Sequence, residues 1–170
     1  MRAADIAALF AFSYWANRTI LHAASELPAP KLDEATRLTY RSVRGTLVHT
    51  LDVEMSWRAR LRGESPAVWD RSLDEAEFAS VDQIADFWAR DEREMMAWLG
   101  TLADEQLEGV VDLGNSDRFP LWYYLVHIVT HSEQQRRDVQ LLLRTFGIDP
   151  PDLEFLYYAD TLASTSSANK

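Results

Sequence analysis

The sequence predicts an all-α protein, a four-helix bundle, and three observations lead to that class. Apolar residues recur with a helical period in four long segments of the chain. Six Gly and six Pro among 170 residues are few for a β-sandwich or a barrel, whose many turns need both. A hydrophobic content of 47%, with 11% aromatic residues, is enough to build one sizeable core. In such a bundle, a functional site is formed by side chains that project inward from facing helices.

The first two helices are each followed by residues that stop a helix. The first is expected over about Ala3–Glu26, and Pro28 and Pro30 come directly after it. The second is expected over about Leu38–Arg62, and Gly63 is suited to its C-terminal end.

The last two long helices also carry recognisable ends. The third is expected over about Val81–Leu102, where Ser80 is a suitable N-cap and Gln83 its capping-box partner. The fourth is expected over about Pro120–Phe146, with its proline in the first turn and Gly147 at the stop.

The remaining segments predict little regular structure. Leu107–Phe119 is typical of a short β-hairpin that turns at Gly114-Asn115, just before the last long helix. Asp152–Tyr158 is expected to be a short helix or an extended segment. We therefore expect a single domain over residues 1–160 and a flexible tail over residues 161–170, where small polar residues dominate.

Charge and cysteine content exclude several classes of function. The chain has 27 Asp plus Glu against 17 Lys plus Arg, a net charge of −10, which disfavours nucleic acids and anionic membrane surfaces as partners. It has no cysteine, so disulfides, thiolate nucleophiles and Cys-based metal sites are excluded. No apolar run approaches the roughly 18 residues of a membrane span, so a cytoplasmic protein is expected.

Three of the four histidines are placed where they could act together. His127 and His131 lie four residues apart on the fourth helix, so their side chains stack on one face, and Gln135 continues that row. His49 lies on a largely apolar face of the second helix. Because the fourth helix is apolar almost all round at this level, we expect both of its histidines to be buried.

A histidine set of this kind is either a metal site or a group of hydrogen-bonded core residues. Two imidazoles at this spacing can chelate one ion, and His49 would add a third ligand and leave a position open for water or substrate. Histidine and amide ligands suit Zn²⁺, Ni²⁺ or Fe²⁺. Asp52 and Asp138 are candidates to orient the imidazoles by hydrogen bonding, and Trp15 and Trp57 are candidates to line a pocket.

Four segments of the sequence together carry a resemblance to a known family: Tyr14–Arg18, Ser42–Pro66, Pro120–Arg136 and Pro150–Leu156. With these segments, the chain resembles the DinB/YfiT-like family of metal-binding four-helix bundles over nearly its whole length. The resemblance implies an up-down-down-up order of the helices. It also implies a divalent metal held by three histidines at the centre of the bundle.

The resemblance assigns the ligands residue by residue, with one departure. His49 matches the histidine of the second helix, and His131 matches the first position of a His-xxx-His-Arg pattern on the fourth. Gln135 stands at the second position, where its amide oxygen is a poorer ligand than imidazole. Three alternatives follow. Gln135 completes a weakened site, His127 takes the third place from one turn earlier, or the metal has been lost.

The resemblance also implies a class of activity. Similar proteins are thiol-dependent transferases and isomerases in which the metal activates the thiolate of a low-molecular-weight cosubstrate. A chain without cysteine would need such a cosubstrate. We therefore expect a metal-dependent thiol S-transferase or hydrolase acting on a small molecule, with its catalytic residues unassigned, and a homodimer paired through a bundle face. The alternative is a non-catalytic stress-response or small-molecule-binding bundle with a degraded metal site.

Overall fold

The computed structural model describes residues 1–114 and 118–168, and of residues 165–168 only the backbone. Four long helices form the bundle: α1 (Ala3–Ser25), α3 (Val43–Leu61), α5 (Val81–Leu99) and α7 (Leu121–Thr145). The shorter elements are α2 (Ala29–Leu32), α4 (Pro66–Trp69), α6 (Asp104–Leu107), α8 (Phe155–Ala168), strands β1 (Val110–Asp112) and β2 (Arg118–Pro120), and a 3₁₀ turn at Glu75–Glu77. The predicted four-helix bundle with a hairpin before its last long helix is confirmed.

Contacts between helix ends define the up-down-down-up order. The backbone N–H groups of Ala3 and Leu121, which begin α1 and α7, both donate to oxygen atoms in the segment 104–109 that follows α5. These two helices therefore start at the end of the bundle where α5 finishes. Trp57 near the end of α3 contacts Tyr124 near the start of α7, with ring centroids 5.6 Å apart. Consequently α1 and α7 run one way, and α3 and α5 run the other way.

Local hydrogen bonds and backbone geometry define where three of the long helices begin. The helix expected from Leu38 begins only after Ser42, whose hydroxyl accepts a hydrogen bond from a first-turn N–H at 3.1 Å. Ser80 caps α5 as predicted, because its hydroxyl accepts from the N–H of Gln83 at 3.4 Å. Pro120 lies at the N-cap of α7 with an extended backbone, one position earlier than its predicted place in the first turn.

Glycines end two of these helices and explain why the chain can leave them. Gly63 and Gly147 have positive φ angles of 74° and 86°, a conformation that costs a side-chain-bearing residue energy. Both were expected at helix stops. The helix α5 ends at Leu99 and not at Leu102, because the chain turns at Gly100.

The hairpin pairs the two short strands in antiparallel fashion, with Val110 opposite Pro120 and Asp112 opposite Arg118. Gly114 has a positive φ of 78°, as the predicted turn requires. Asn115 lies outside the residues that the structure describes.

The C-terminal segment forms more helix than the sequence indicates. The helix α8 continues past Tyr158 and covers residues 161–168, which were assigned to a tail. Its aromatic side chains dock on α1, where Phe155 lies edge-on to Phe12 with ring centroids 5.2 Å apart. Tyr158 packs on Trp15 at 5.4 Å. Burying aromatic area against a preformed helix favours helix in a segment whose local sequence is weakly helical. Flexibility of residues 161–170 stays a prediction, as does the domain boundary at residue 160.

The core consists of apolar side chains that the four long helices turn inward, each at most 2% exposed: Ile6, Phe10, Ile20, Leu47, Leu51, Ile84, Met95, Leu125, Ile128 and Leu142. Burying each of them contributes about 1.5–3 kcal/mol relative to exposure. Among the described residues, no helix is both long and apolar enough to cross a bilayer.

Candidate functional site

The site is built around two histidines that face each other across α3 and α7. The rings of His49 and His131 have centroids 5.4 Å apart and cross at 72°. Both side chains are half-buried. The Nδ1 atom of His131 is buried and has no hydrogen-bond partner among the described residues. A buried polar atom without a partner is unusual, and it marks a place where a water or an ion would restore a lost interaction.

Both imidazoles are neutral at pH 7. Burial lowers the pKa of His131 to about 4, and repulsion from Arg41 and from the protonated forms of His49 and His127 lowers it further. Burial also lowers the pKa of His49, and Arg41 adds to this effect while Asp52 opposes it. Neutral imidazole carries the free lone pair that a metal ion or a hydrogen-bond donor needs.

His127 occupies a different environment from the pair. Its side chain is exposed, so the prediction that both histidines of the fourth helix are buried is wrong for this residue. The next residue, Ile128, faces the core, and a helix turns by about 100° per residue, which leaves position 127 toward solvent. The His127 ring packs edge-on against Trp57 at 5.5 Å and lies 6.3 Å from the His131 ring.

The ligand set is incomplete by the usual criteria. In the part of the chain that the structure describes, no group of three His, Cys, Asp or Glu side chains is arranged to hold a metal. Gln135, an amide and therefore outside these four residue types, is half-buried one turn after His131 on α7. The geometry thus provides two facing imidazoles and one nearby amide.

The two candidate carboxylates differ in their positions. Asp52 lies one turn after His49 on α3. Its Oδ1 atom accepts a hydrogen bond from the N–H of Leu73 at 2.9 Å, so it holds the loop before the 3₁₀ turn against α3. Asp138 lies seven residues after His131, about 10 Å along the helix axis. That separation exceeds hydrogen-bond reach, so Asp138 does not orient the His131 ring.

The two candidate tryptophans also lie in different parts of the molecule. Trp57 packs on His127 and Tyr124, one turn and more before His131 on α7. Trp15 packs on Tyr157 and on a second aromatic residue of α8, and its role is to hold that helix against α1.

A polar cleft gives access to His49. It has a volume of about 710 Å³ and lies between the start of α3 and the loop before the 3₁₀ turn. Its lining includes Tyr40, Arg41, Ser42, His49 and Asp52. A volume in this range is typical of small-molecule sites, although most of those are more apolar.

A buried carboxylate, Glu54, lies five residues after His49 on α3, and the sequence predictions did not include it. Glu54 is 2% exposed, and its Oε1 atom accepts hydrogen bonds from Asn17 at 3.2 Å and from Ser132 at 2.6 Å. Its Oε2 atom accepts from the indole N–H of Trp88 at 2.7 Å. Burial raises the pKa of Glu54 to about 7, and the negative charge of Asp91 raises it further. The hydrogen bonds from Ser132 and Trp88 lower this pKa and oppose the shift.

An arginine extends this network across the bundle. The Nη1 atom of Arg136 donates to Asn17 at 2.6 Å and to the Ser13 hydroxyl at 3.0 Å. Burial lowers the pKa of Arg136 to about 10, and the nearby charge of Glu54 opposes that shift. Ser132, which directly follows His131 on α7, joins this helix to the network through its hydrogen bond to Glu54.

A sequence signal for this network exists in hindsight. Leu47, Leu51, Glu54 and Arg58 fall on one inward row of α3 at spacings of four, three and four residues. Two charged residues on an otherwise apolar row indicate a buried polar network, because such residues are rarely buried unless they are paired.

Comparison with known proteins gives a match at the level of the family. The family model described as DinB family matches residues 2–166. No curated protein matches the chain.

Three solved structures share the fold at low sequence identity. A DinB-like protein from Bacillus cereus ATCC 10987 has a TM-score of 0.65 and 14% identity, over 81% of this chain and 90% of that chain. A conserved protein from Enterococcus faecalis has a TM-score of 0.66 and 14% identity, over 85% and 96%. A protein from Streptococcus pneumoniae has a TM-score of 0.56 and 11% identity, over 82% and 88%. At these identities the likeness concerns the fold alone.

Proposed function

The chain belongs to the DinB family, and we propose that it is a divalent-metal-dependent enzyme of thiol-transferase or hydrolase type. The observation that carries this proposal is the unpartnered, buried Nδ1 atom of His131, whose ring lies 5.4 Å from the ring of His49. A shared metal ion would give both imidazoles a common partner and would remove the cost of an unsatisfied buried atom.

The same two histidines would hold the ion, and Gln135 is the best candidate for the third place. Gln135 is half-buried one turn from His131, whereas His127 is exposed and packed on Trp57. An amide oxygen binds Zn²⁺, Ni²⁺ or Fe²⁺ more weakly than imidazole does, so the affinity should be modest.

The bound ion would supply Lewis acidity that lowers the pKa of a thiol or a water molecule. The chain itself would provide a cleft through which a cosubstrate can reach His49 and a positive charge that can bind an anionic group. The cleft of about 710 Å³ at His49 can admit a polar cosubstrate, and Arg41 on its wall can pair with an anionic group. Because the chain has no cysteine, any thiol must arrive on a low-molecular-weight cosubstrate.

A second candidate function is a non-catalytic, small-molecule-binding bundle that has lost its metal. This alternative is favoured by the incomplete ligand set among the described residues and by the amide of Gln135 at a position where the resemblance implies histidine. It predicts that the histidines contribute to packing only.

Metal analysis of protein purified without a histidine tag separates the two functions. We expect up to about one equivalent of a transition metal per chain, or its uptake when Zn²⁺ or Ni²⁺ is added. His49→Ala and His131→Ala should each abolish uptake. His22→Ala is the matched control, since His22 is an exposed residue near the end of α1, and it should leave uptake unchanged.

Two outcomes would reject the metal-dependent function. One is less than about a tenth of an equivalent of metal with no uptake on addition. The other is equal uptake by the wild type and both alanine variants. Gln135→His tests the third ligand. A large rise in affinity would indicate that the native site is weakened at this position, and an unchanged affinity would exclude position 135 from the ligand set.

A further inference from the structure

A second cavity lies between α1 and α5, and its lining includes His22 on α1, whereas His49 and His131 lie on α3 and α7. Its volume is about 390 Å³. On α5 the lining includes Ala85 and Ala89, which lie one turn apart, and on α1 it includes Leu21. Two alanines in succession along a helix face leave space that a larger side chain would otherwise fill. The small side chains of Ala85 and Ala89 therefore account for the cavity at the contact between α1 and α5.

Aromatic side chains line the buried part of the cavity. Trp88 and Tyr14 are 3% and 1% exposed, and Asn17 lies beside them. The indole N–H of Trp88 and the amide N–H of Asn17 already donate to Glu54. The buried end of the cavity is therefore closed by side chains whose N–H groups are already hydrogen-bonded and offer a ligand little surface.

Carboxylates line the exposed part. Glu92 is neutralised, because both of its oxygens lie 2.6 Å from the Nη1 atom of Arg18. Asp82 and Asp86 are exposed, lie one turn apart on α5, and form no ion pair within the described residues. Two carboxylates without an ion-pair partner among the described residues therefore stand beside a cavity that Leu21, Ala85 and Ala89 help to line.

We propose that this cavity binds a small organic ammonium cation whose apolar body is about the size of one aromatic ring. An ammonium group can donate to both free carboxylates, and Leu21, Ala85 and Ala89 can contact the apolar body. The cavity volume lies in the range of small-molecule sites, and the net charge of −10 attracts cations to the protein. The site does not include His49 or His131, and it needs no metal.

A matched pair of probes tests the charge preference. We would titrate the full chain with 3-phenylpropylammonium and with 3-phenylpropan-1-ol, which has nearly the same shape without the charge, by calorimetry and by NMR. We expect saturable binding of one ammonium per chain, with the alcohol at least about tenfold weaker. The double variant Asp82→Asn/Asp86→Asn should weaken ammonium binding about five- to tenfold and leave the alcohol unchanged.

Two further variants control for general charge and for location. Glu105→Gln/Asp160→Asn removes two exposed acids away from the cavity and should leave ammonium affinity unchanged. Ala89→Leu fills the cavity and should abolish binding of both probes. The two aspartates are on the surface, so the charge variants remain informative even if the leucine variant fails to fold.

Three results would overturn the proposal: no saturable ammonium binding, equal affinity for the alcohol, or an equal loss of affinity in the Glu105/Asp160 control. The first means that no site exists, the second that the cavity selects apolar ligands without regard to charge, and the third that only the overall charge matters. His131→Ala should bind the ammonium as the wild type does, which separates this site from the proposed metal function.

Discussion

Glu54→Gln replaces a fully buried carboxylic acid by an amide of similar shape that does not titrate. Glu54 projects from α3 and contacts α1, α5 and α7, so it lies where all four long helices meet. In the unfolded chain its pKa is expected near 4.5, whereas in the folded protein burial raises that pKa to about 7. The folded state therefore holds this proton more tightly than the unfolded state does.

The direction and size of the effect follow from this difference. The stabilising contribution of Glu54 is fully present below about pH 4.5 and is lost as the pH rises through about 7. At about 1.4 kcal/mol for each tenfold change in proton affinity, the loss is about 3 kcal/mol. The glutamine variant lacks this loss. Other titrating groups are common to both proteins and cancel in the difference between them.

Urea unfolding at several pH values, followed by helical circular dichroism and tryptophan fluorescence, measures the effect. Between about pH 5 and about pH 8, the difference in unfolding free energy should move by about 2.5 kcal/mol in favour of Glu54→Gln. Glu105→Gln, at an exposed acid, should give a curve parallel to that of the wild type. A constant separation between the wild type and Glu54→Gln over this range would refute a buried, titrating Glu54.

Three other substitutions have effects that urea unfolding at pH 7 can measure. Arg58→Ala leaves Asp91, its ion-pair partner at 2.7 Å, buried without a counter-charge, and should cost about 3–5 kcal/mol; a loss below about 1 kcal/mol would contradict this. Ser132→Ala removes a donor to Glu54 at 2.6 Å and should cost about 1–3 kcal/mol, and no change would indicate that the hydrogen bond is not formed. Gly147→Ala forces a side chain into a backbone with φ of 86° and should cost about 1 kcal/mol, although the space around it is free; equal stability would mean that the turn rearranges.

The long helices could be predicted from sequence because their signals are local. Periodic apolar residues, Ser80 and the stop glycines act within one or two turns of chain, and the structure confirms them. The start of α3 and the extent of α8 could not be predicted as well. The first depends on which of several polar residues becomes the cap, and the second depends on aromatic docking against α1 from a distant part of the chain.

The candidate site was predictable in part for the same reason. Spacing placed His131 and Gln135 on one row of α7, and the resemblance paired that row with His49, which the structure brings within 5.4 Å of His131. The exposure of His127 was not predictable from an apolar stretch, because a neighbouring residue can face the core while this one faces solvent. The axial distance of Asp138 from His131 follows from helix rise alone, so a hydrogen bond between these two residues could have been excluded at once.

The sequence by itself determined the long helices, the absence of a cysteine thiol and the row of His131 and Gln135 on one helix, since these depend on composition and local spacing. Only the tertiary structure decided which polar residues are buried together. Glu54, Asn17 and Ser132 come from three different helices, and their contact depends on how those helices pack. The unpartnered Nδ1 atom of His131 and the cavity between α1 and α5 arise in the same way. Desolvation and hydrogen-bond satisfaction are properties of the packed interior, and no single segment of the chain encodes them.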